Sequence, residues 1–256
     1  MKSFRQNKLL DILQKDKIIK TKAMADYFGV SIETIRRDLD QLENEGIINK
    51  IYGGAELCPQ AEIAPSPLLA RRGSMQPVKA ALAAKAAEHI PNRCTIALDA
   101  GSTIYELCPY LNQLEDLVII CSDVHTATRL LENTNNKVYL MGGFLTSDGT
   151  SKGTFSDSFF DNISRIDIFV CATDGAIPEE GLTCDAAGIN DLKKKYMRTA
   201  GKRIAVLDHT KFRHSGFYKT CNFEDLDILI TDSGASDEAL KTIRKSGIKV
   251  ETVEYK

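Results

Sequence analysis

What the 256-residue chain lacks narrows its class first. No run of apolar residues approaches the ~20 needed to cross a bilayer, so neither a membrane-spanning helix nor a membrane partner is expected. The amino terminus, MKSFRQNKLL, lacks the apolar core and small-residue cleavage site of a secretory signal, which points to the cytoplasm. Seven cysteines run from Cys58 to Cys221 with no close pair, which leaves neither a disulfide framework nor a Cys-x-x-Cys metal site. They read as small buried hydrophobes. His209 and His214 lie in a polar stretch without a nearby cysteine, so no metal ligand and no cofactor is expected. Excess charge is missing too: 33 Lys and Arg face 35 Asp and Glu, and the net charge of -2 excludes any global attraction for nucleic acid. Residues 1–55 hold ten Lys and Arg against eight Asp and Glu, a local +2 that leaves -4 for the rest. No internal repeat stands out.

Against that background the first 57 residues carry a clear pattern. Leu9, Ile12 and Leu13 recur at helical spacing, and KDKIIK follows as a charged stub of strand. Thr21 is placed to cap a second helix, TKAMADYF, which Gly29 ends in a left-handed conformation. Ser31 caps a third, on which Ile32, Ile35, Leu39 and Leu42 form one apolar stripe, and Glu45-Gly46 ends it. IINKIY then reads as a strand returning through Gly53-Gly54, able to pair with KIIK. Three helices and a strand hairpin in this order make a winged helix-turn-helix over residues 1–57.

Residues 58–77 carry four of the seven prolines and read as a linker. From 78 to 256, an Ala-rich helix at Val78 to His89 precedes TIALDAGST. Apolar runs (LVII, VYLM, IDIFVCA, RIAVL, LDILIT, KVETV) then alternate with helical stretches. The expected fold class is therefore α/β: a small winged helix-turn-helix followed by a larger effector domain with a mostly parallel sheet covered on both faces.

With the apolar stripe facing inward, 100° per residue places Arg37 outward, flanked by Glu33, Thr34 and Gln41, with Arg36 on the edge. An exposed Arg can bond guanine bidentately, and Gln or Thr can reach other base edges. Asp38 falls nearer the core, where it is expected to pair with a base such as Arg5 rather than face phosphate. Taken alone, Arg-Arg-Asp reads as well as a solvated helix face. The spacing, however, resembles the amino-terminal signature of the DeoR family of bacterial transcriptional regulators. Arg5, Leu9 and Leu13 match its first part, and Ser31, Thr34, Ile35, Arg36, Arg37, Asp38 and Leu39 its second. In the wing, Lys50-Ile51-Tyr52-Gly53-Gly54-Ala55 stands where members often have Arg-aliphatic-His-Gly-Gly-Ala. Lys50 and Tyr52 there retain the capacity to bond phosphate oxygens. Candidate DNA contacts are thus Ser31, Glu33, Thr34, Arg36, Arg37, Gln41, Lys50 and Tyr52.

In the second domain, Asp99-Ala100-Gly101-Ser102-Thr103 joins a strand to a helix whose first N–H groups, with the two hydroxyls, suit an anion. An ordinary capped turn competes with this reading. Asp174-Gly175 and Asp208 to Lys211 also follow strands, and ligands collect at the carboxyl ends of strands in open α/β sheets. The resemblance extends here. It implies an effector domain similar to sugar-phosphate isomerases, matched by Asp99 to Thr103, Gly142-Gly143, Thr173-Asp174-Gly175, Gly181-Leu182-Thr183 and Asp208 to Lys211. Ser102, Thr210 and Ala172 depart from the usual residues. Asp99, Gly101, Ser102, Thr103, Gly142, Gly143, Asp174, Gly175 and Lys211 are therefore the expected effector-binding residues. The resemblance implies the loop and Lys211 on anionic oxygens and Asp174 on sugar hydroxyls. The expectation is a homo-oligomeric repressor of a carbohydrate operon, bound to double-stranded operator DNA and released by a phosphorylated sugar. The alternative is an isomerase-like enzyme with an accessory DNA-binding domain, whose base would have to come from Glu179 or Glu180, because IPEEGLTCDAAG does not reproduce the isomerases' glycine-rich segment.

Overall fold

The computed structural model describes residues 4–16, 18–44, 48–51, 53–57, 75–132, 135–153 and 157–255. They divide into two compact units, Met1–Pro65 and Ser66–Lys256.

In the first unit, α1 (Phe4–Asp16), α2 (Thr21–Phe28) and α3 (Ile32–Asn44) combine with the strands β1 (Ile18–Lys20), β2 (Ile48–Ile51) and β3 (Gly54–Leu57). Their core is Leu9, Leu13, Ile19, Ala25, Ile35, Leu39, Leu42, Ile48 and Ala55. Gly29 adopts φ 63° after α2, where a side chain would be strained, and so turns the chain into α3. Three expectations shift. Lys20, not Thr21, is the cap of α2, and no side chain bonds there, because Thr21 already lies inside the helix and gives its N–H to the Gly53 carbonyl. The strand order is β1-β3-β2, so KIIK pairs with the strand after the turn rather than with IINKIY. Gly54 makes that pairing possible, since a Cβ there would sit 1.9 Å from the Ile19 carbonyl oxygen. Ile32 is 42% exposed; it is the first residue of α3, and the buried stripe begins one turn later at Ile35. The Glu45-Gly46 helix end and Tyr52 lie outside the described residues, as does most of the 58–77 segment.

The second unit opens with α4 (Gln76–Ala87), two residues earlier than expected because Pro77 occupies the first turn, where its missing N–H costs nothing. The strands β4 (Thr95–Leu98), β5 (Val118–Cys121), β6 (Lys137–Leu140), β9 (Ile166–Cys171), β12 (Ala200–Val206), β14 (Ile228–Asp232) and β15 (Lys249–Val253) form one sheet. Its order is β15-β14-β12-β9-β4-β5-β6, with every adjacent pair parallel. α4, α5 (Ser102–Leu111) and α6 (Val124–Leu130) contribute to one core cluster, with Leu82, Leu107 and Leu130. α8 (Ala187–Thr199) and α9 (Asp237–Arg244) contribute to the other, with Tyr196 and Ile243. A short helix α7 (Asp157–Asp161) precedes β9. The six described cysteines are free and buried, and burial pushes the thiols of Cys108, Cys121 and Cys221 up to about 12, as suits hydrophobes rather than nucleophiles.

Two small sheets escaped the sequence reading: β7 (Phe144–Leu145) with β8 (Ser151–Lys152), and the antiparallel set β10 (Gly175–Ile177), β11 (Gly181–Cys184) and β13 (Tyr218–Cys221). These strands have two to four residues, too few to impose a period on the sequence. The chain starts the main sheet at β4, runs outward through β5 and β6, then returns to the other side of β4 with β9. The direction of winding reverses between β4 and β9, and the crevice at their carboxyl ends is the expected ligand site of such a sheet.

Candidate functional site

On α3, Ser31 Oγ accepts the Thr34 N–H at 3.2 Å and shares a 2.8 Å hydrogen bond with the Thr34 hydroxyl. That is the expected cap, and it occupies the Thr34 hydroxyl. Asp38, 7% exposed, turns inward to Arg5, with Nε 2.5 Å from Oδ2 and Nη2 3.3 Å from Oδ1. This pair anchors the recognition helix to α1, and the hydrogen bond to Asp38 raises the Arg5 guanidinium above its ordinary value despite some desolvation. Arg37 is exposed and has no ion-pair partner among the described residues. Arg36 lies 3.6 Å from Glu33, both well exposed. Gln41 accepts a 2.7 Å hydrogen bond from Gln6. Lys50 pairs with Asp40, has Glu43 3.8 Å away, and gives its backbone N–H to Glu43 at 3.0 Å. Lys50, expected to be available to phosphate, thus already holds two carboxylates, because β2 runs back along the end of α3. Tyr52 lies outside the described residues.

The second site gathers at the winding reversal. Gly101 has φ 152°, a conformation favouring glycine, and α5 starts with no side-chain cap. Ser102 is 9% and Thr103 6% exposed, and neither hydroxyl bonds another described residue. The first N–H groups of a helix have no intrahelical acceptors, so this end offers donors from backbone and side chains together. Asp99 lies just before it: Oδ1 accepts the Ala100 N–H at 2.8 Å, and Oδ2 accepts the Ala172 N–H at 3.0 Å. The latter bond ties the loop after β4 to the loop after β9.

Lys193 of α8 joins them. Its Nζ lies 2.9 Å from Asp99 Oδ2 and donates to the Ala172 carbonyl at 2.9 Å, with both side chains almost wholly buried. Burial works against the Lys193 charge, but Asp99, with Cys184 and Asp174 behind it, outweighs this and raises its pKa. Burial likewise raises the Asp99 carboxyl, opposed by Lys193 and the two N–H groups. Three donors converge on its two oxygens, and such contacts favour the ionised form. Asp174 takes the Asp185 N–H at 3.0 Å; burial would raise its carboxyl, but Lys193, the Asp185 N–H, Cys184 and Lys211 hold it below the usual carboxylate range.

Lys193 thus links Asp99, which stands just before Gly101, Ser102 and Thr103, to the loop after β9 that carries Asp174, and Lys211 acts on Asp174 through space. Gly175 opens β10, where a Cβ would meet the His214 carbonyl at 2.2 Å, so its absence of side chain serves the packing of β10. Gly142 and Gly143 follow the edge strand β6, two strands from Asp99. Gly142 borders a separate groove of about 700 Å³ whose lining includes Ile120, Tyr139, Met141 and Phe159. A Cβ on Gly143 would meet the Lys152 carbonyl at 2.4 Å, so Gly143 admits β8.

Sequence reading missed three polar residues here. Lys193 was hidden in Lys193-Lys194-Lys195, which reads as a solvated run. Tyr196, one turn on, is 1% exposed and its hydroxyl has no partner among the described residues. Asp232, fully buried, holds His209: its Oδ1 accepts the His209 N–H at 2.6 Å and its Oδ2 lies 2.7 Å from Nδ1. The signal for Asp232 was present, since it ends the strand run LDILIT as Asp99 ends TIAL. Asp208 accepts hydrogen bonds from the Thr210 N–H and hydroxyl, which forms the turn that carries Lys211.

Residues 5–61 match the DeoR-like helix-turn-helix domain and residues 75–233 the DeoR C-terminal sensor domain. The HTH-type transcriptional regulator GolR of Listeria innocua is 33% identical over 98% of each chain. The glycerol-3-phosphate regulon repressor of Escherichia coli is 27% identical over 96% of this chain and 97% of its own. The ribose 5-phosphate isomerase of Plasmodium falciparum overlaps 54% of this chain and 53% of its own, with a TM-score of 0.40 and 20% identity, a likeness too slight to speak for a ligand. With both domains matched along most of the chain, the protein belongs to the DeoR family of transcriptional regulators.

Proposed function

We propose that this regulator represses a carbohydrate-catabolism operon and leaves its operator when a phosphorylated sugar fills the crevice between the ends of β4 and β9. The carrying observation is the start of α5: Gly101 in its special conformation, no capping side chain, and the hydroxyls of the mostly buried Ser102 and Thr103 without partners among the described residues. Donors so arranged suit a phosphate. In this reading Ser102, Thr103 and Lys211 hold anionic oxygens, and Asp174, kept ionised, accepts from sugar hydroxyls. The similarity to a glycerol-3-phosphate regulon repressor and to an aga operon transcriptional repressor of Escherichia coli supports a carbohydrate role.

On the DNA side, Arg37 reads a base, and Ser31, Glu33, Thr34, Arg36, Gln41, Lys50 and Tyr52 complete the contact set. The chain works as a cytoplasmic homo-oligomer, because helix-turn-helix proteins commonly read two half-sites. Residues 58–77 link residues 1–57 to residues 78–256. Release requires that the effector prefer the arrangement unable to bind DNA. No catalysis is assigned: Glu179 and Glu180 are exposed in the turn between β10 and β11, not enclosed beside a substrate carbon as a general base must be.

The test is selection of genomic fragments by the purified protein at stated, near-physiological salt, repeated with a panel of sugar phosphates. A recurrent site near a carbohydrate operon, lost with one sugar phosphate, is the expected result. A recurrent site indifferent to the whole panel would remove the effector assignment and leave the DNA-binding one.

A further inference from the structure

A carboxylate three residues before Ser102 is a poor neighbour for a phosphate, because the two negative charges repel through a medium of low dielectric. Asp99 is that carboxylate, and it is buried at the same strand end. α8 supplies the countercharge. The Lys193 ammonium, 4% exposed, touches Asp99 Oδ2 and the Ala172 carbonyl, so one cation meets both loops that flank the crevice. Asp99 meanwhile has both oxygens turned to protein donors, the Ala100 and Ala172 N–H groups as well as Lys193.

We propose that Lys193 is the positioning residue that makes the loop after β4 an anion site. It neutralises Asp99, and it ties that loop to the one after β9 so that the Ser102 and Thr103 hydroxyls stay presented. The inference rests on the crevice being the effector site, and it deepens that reading by naming a phosphate monoester as the ligand class and a buried lysine as the condition for binding it. Its distinctive consequence is that the need for Lys193 lasts only while Asp99 carries a charge.

The experiment titrates the full chain with inorganic phosphate at constant ionic strength, chloride as the control anion, following heat and ³¹P line width. Lys193→Met is expected to weaken phosphate binding roughly tenfold or more, as one buried like-charge contact left uncompensated implies. Asp99→Asn with Lys193→Met, which removes both charges, is expected to recover binding to within about threefold of the unaltered protein. A folded double variant as weak as, or weaker than, Lys193→Met would overturn the inference, because lost charge balance would not be the cause. Equal binding by Lys193→Met and the unaltered protein would also overturn it, while leaving the crevice an anion site. No phosphate binding by the unaltered protein above the chloride control would remove the anion site, and this inference with it. If Lys193→Met does not fold by circular dichroism, the double variant alone decides, since it buries no unpaired charge.

Discussion

On the outer face of α3 the charged side chains stand in water. Arg36 and Glu33 are 62% and 63% exposed and 3.6 Å apart, whereas Lys193 and Asp99 in the crevice are 5% and 4% exposed and 2.9 Å apart. An exposed pair contributes ~0–1 kcal/mol, so Arg36 can trade Glu33 for a phosphate at little cost. A buried pair cannot be traded, because removing one partner strands the other away from water. The contrast suits two tasks: a surface that exchanges partners with a polyanion and, under the proposed function, a crevice that holds its shape before its ligand arrives.

The largest expected effect tests the buried side. Lys193→Met should destabilise the second unit by ~3–5 kcal/mol in urea unfolding, and a loss below ~1 kcal/mol would erase the contrast. Asp38→Ala is next, since it removes the buried carboxylate that pairs with the partly exposed Arg5 and fixes α3. A loss of ~1.5–3 kcal/mol is expected, read as a lower melting temperature of the amino-terminal unit.

Arg37→Ala should leave stability unchanged and cost ~1–3 kcal/mol of discrimination at one base pair; an unaltered sequence preference would take Arg37 out of the reading set. Lys50→Ala should do least, weakening all DNA sequences alike and lowering the salt slope by about 1 at most. No change in slope would mean that Asp40 and Glu43 keep Lys50 from phosphate.

A pH experiment sharpens the same comparison within the second unit. Partial burial would raise the Glu251 carboxyl, but hydrogen bonds with Lys249 and His89 overcome it and bring its pKa to about 2. A folded value below the unfolded one contributes stability that is present above the unfolded carboxylate range and is lost as pH falls toward about 2. Glu251→Gln should therefore lower the neutral plateau and leave the stability at lowest pH nearly as it is, which flattens the acid limb. An unchanged limb would show that Glu251 contributes nothing there.

Much of this was legible in residue order. The apolar spacing of Ile35, Leu39 and Leu42 placed Arg37 outward and Asp38 inward, and the Arg5 partnership followed from that geometry. The alternating runs announced the parallel sheet, and Asp99, Asp174 and Lys211 were legible because each follows a strand. What was not legible has a common cause. Ile32 fits the helical period but lies at a helix end, where the core stops. Gly142 and Gly143 follow a strand as Asp99 does, yet that strand is β6, at the sheet edge, and strand order is invisible to a local pattern.

The sequence by itself determined the longer helices and strands, the turn at Gly29 and the outward face of the recognition helix, because periodicity and glycine conformation act over a few neighbouring residues. Only the tertiary structure decided which of three consecutive lysines is buried. Lys193, Lys194 and Lys195 differ by 100° steps around α8, and the sheet packed against that helix selects Lys193, which then finds Asp99 from a distant strand as its countercharge.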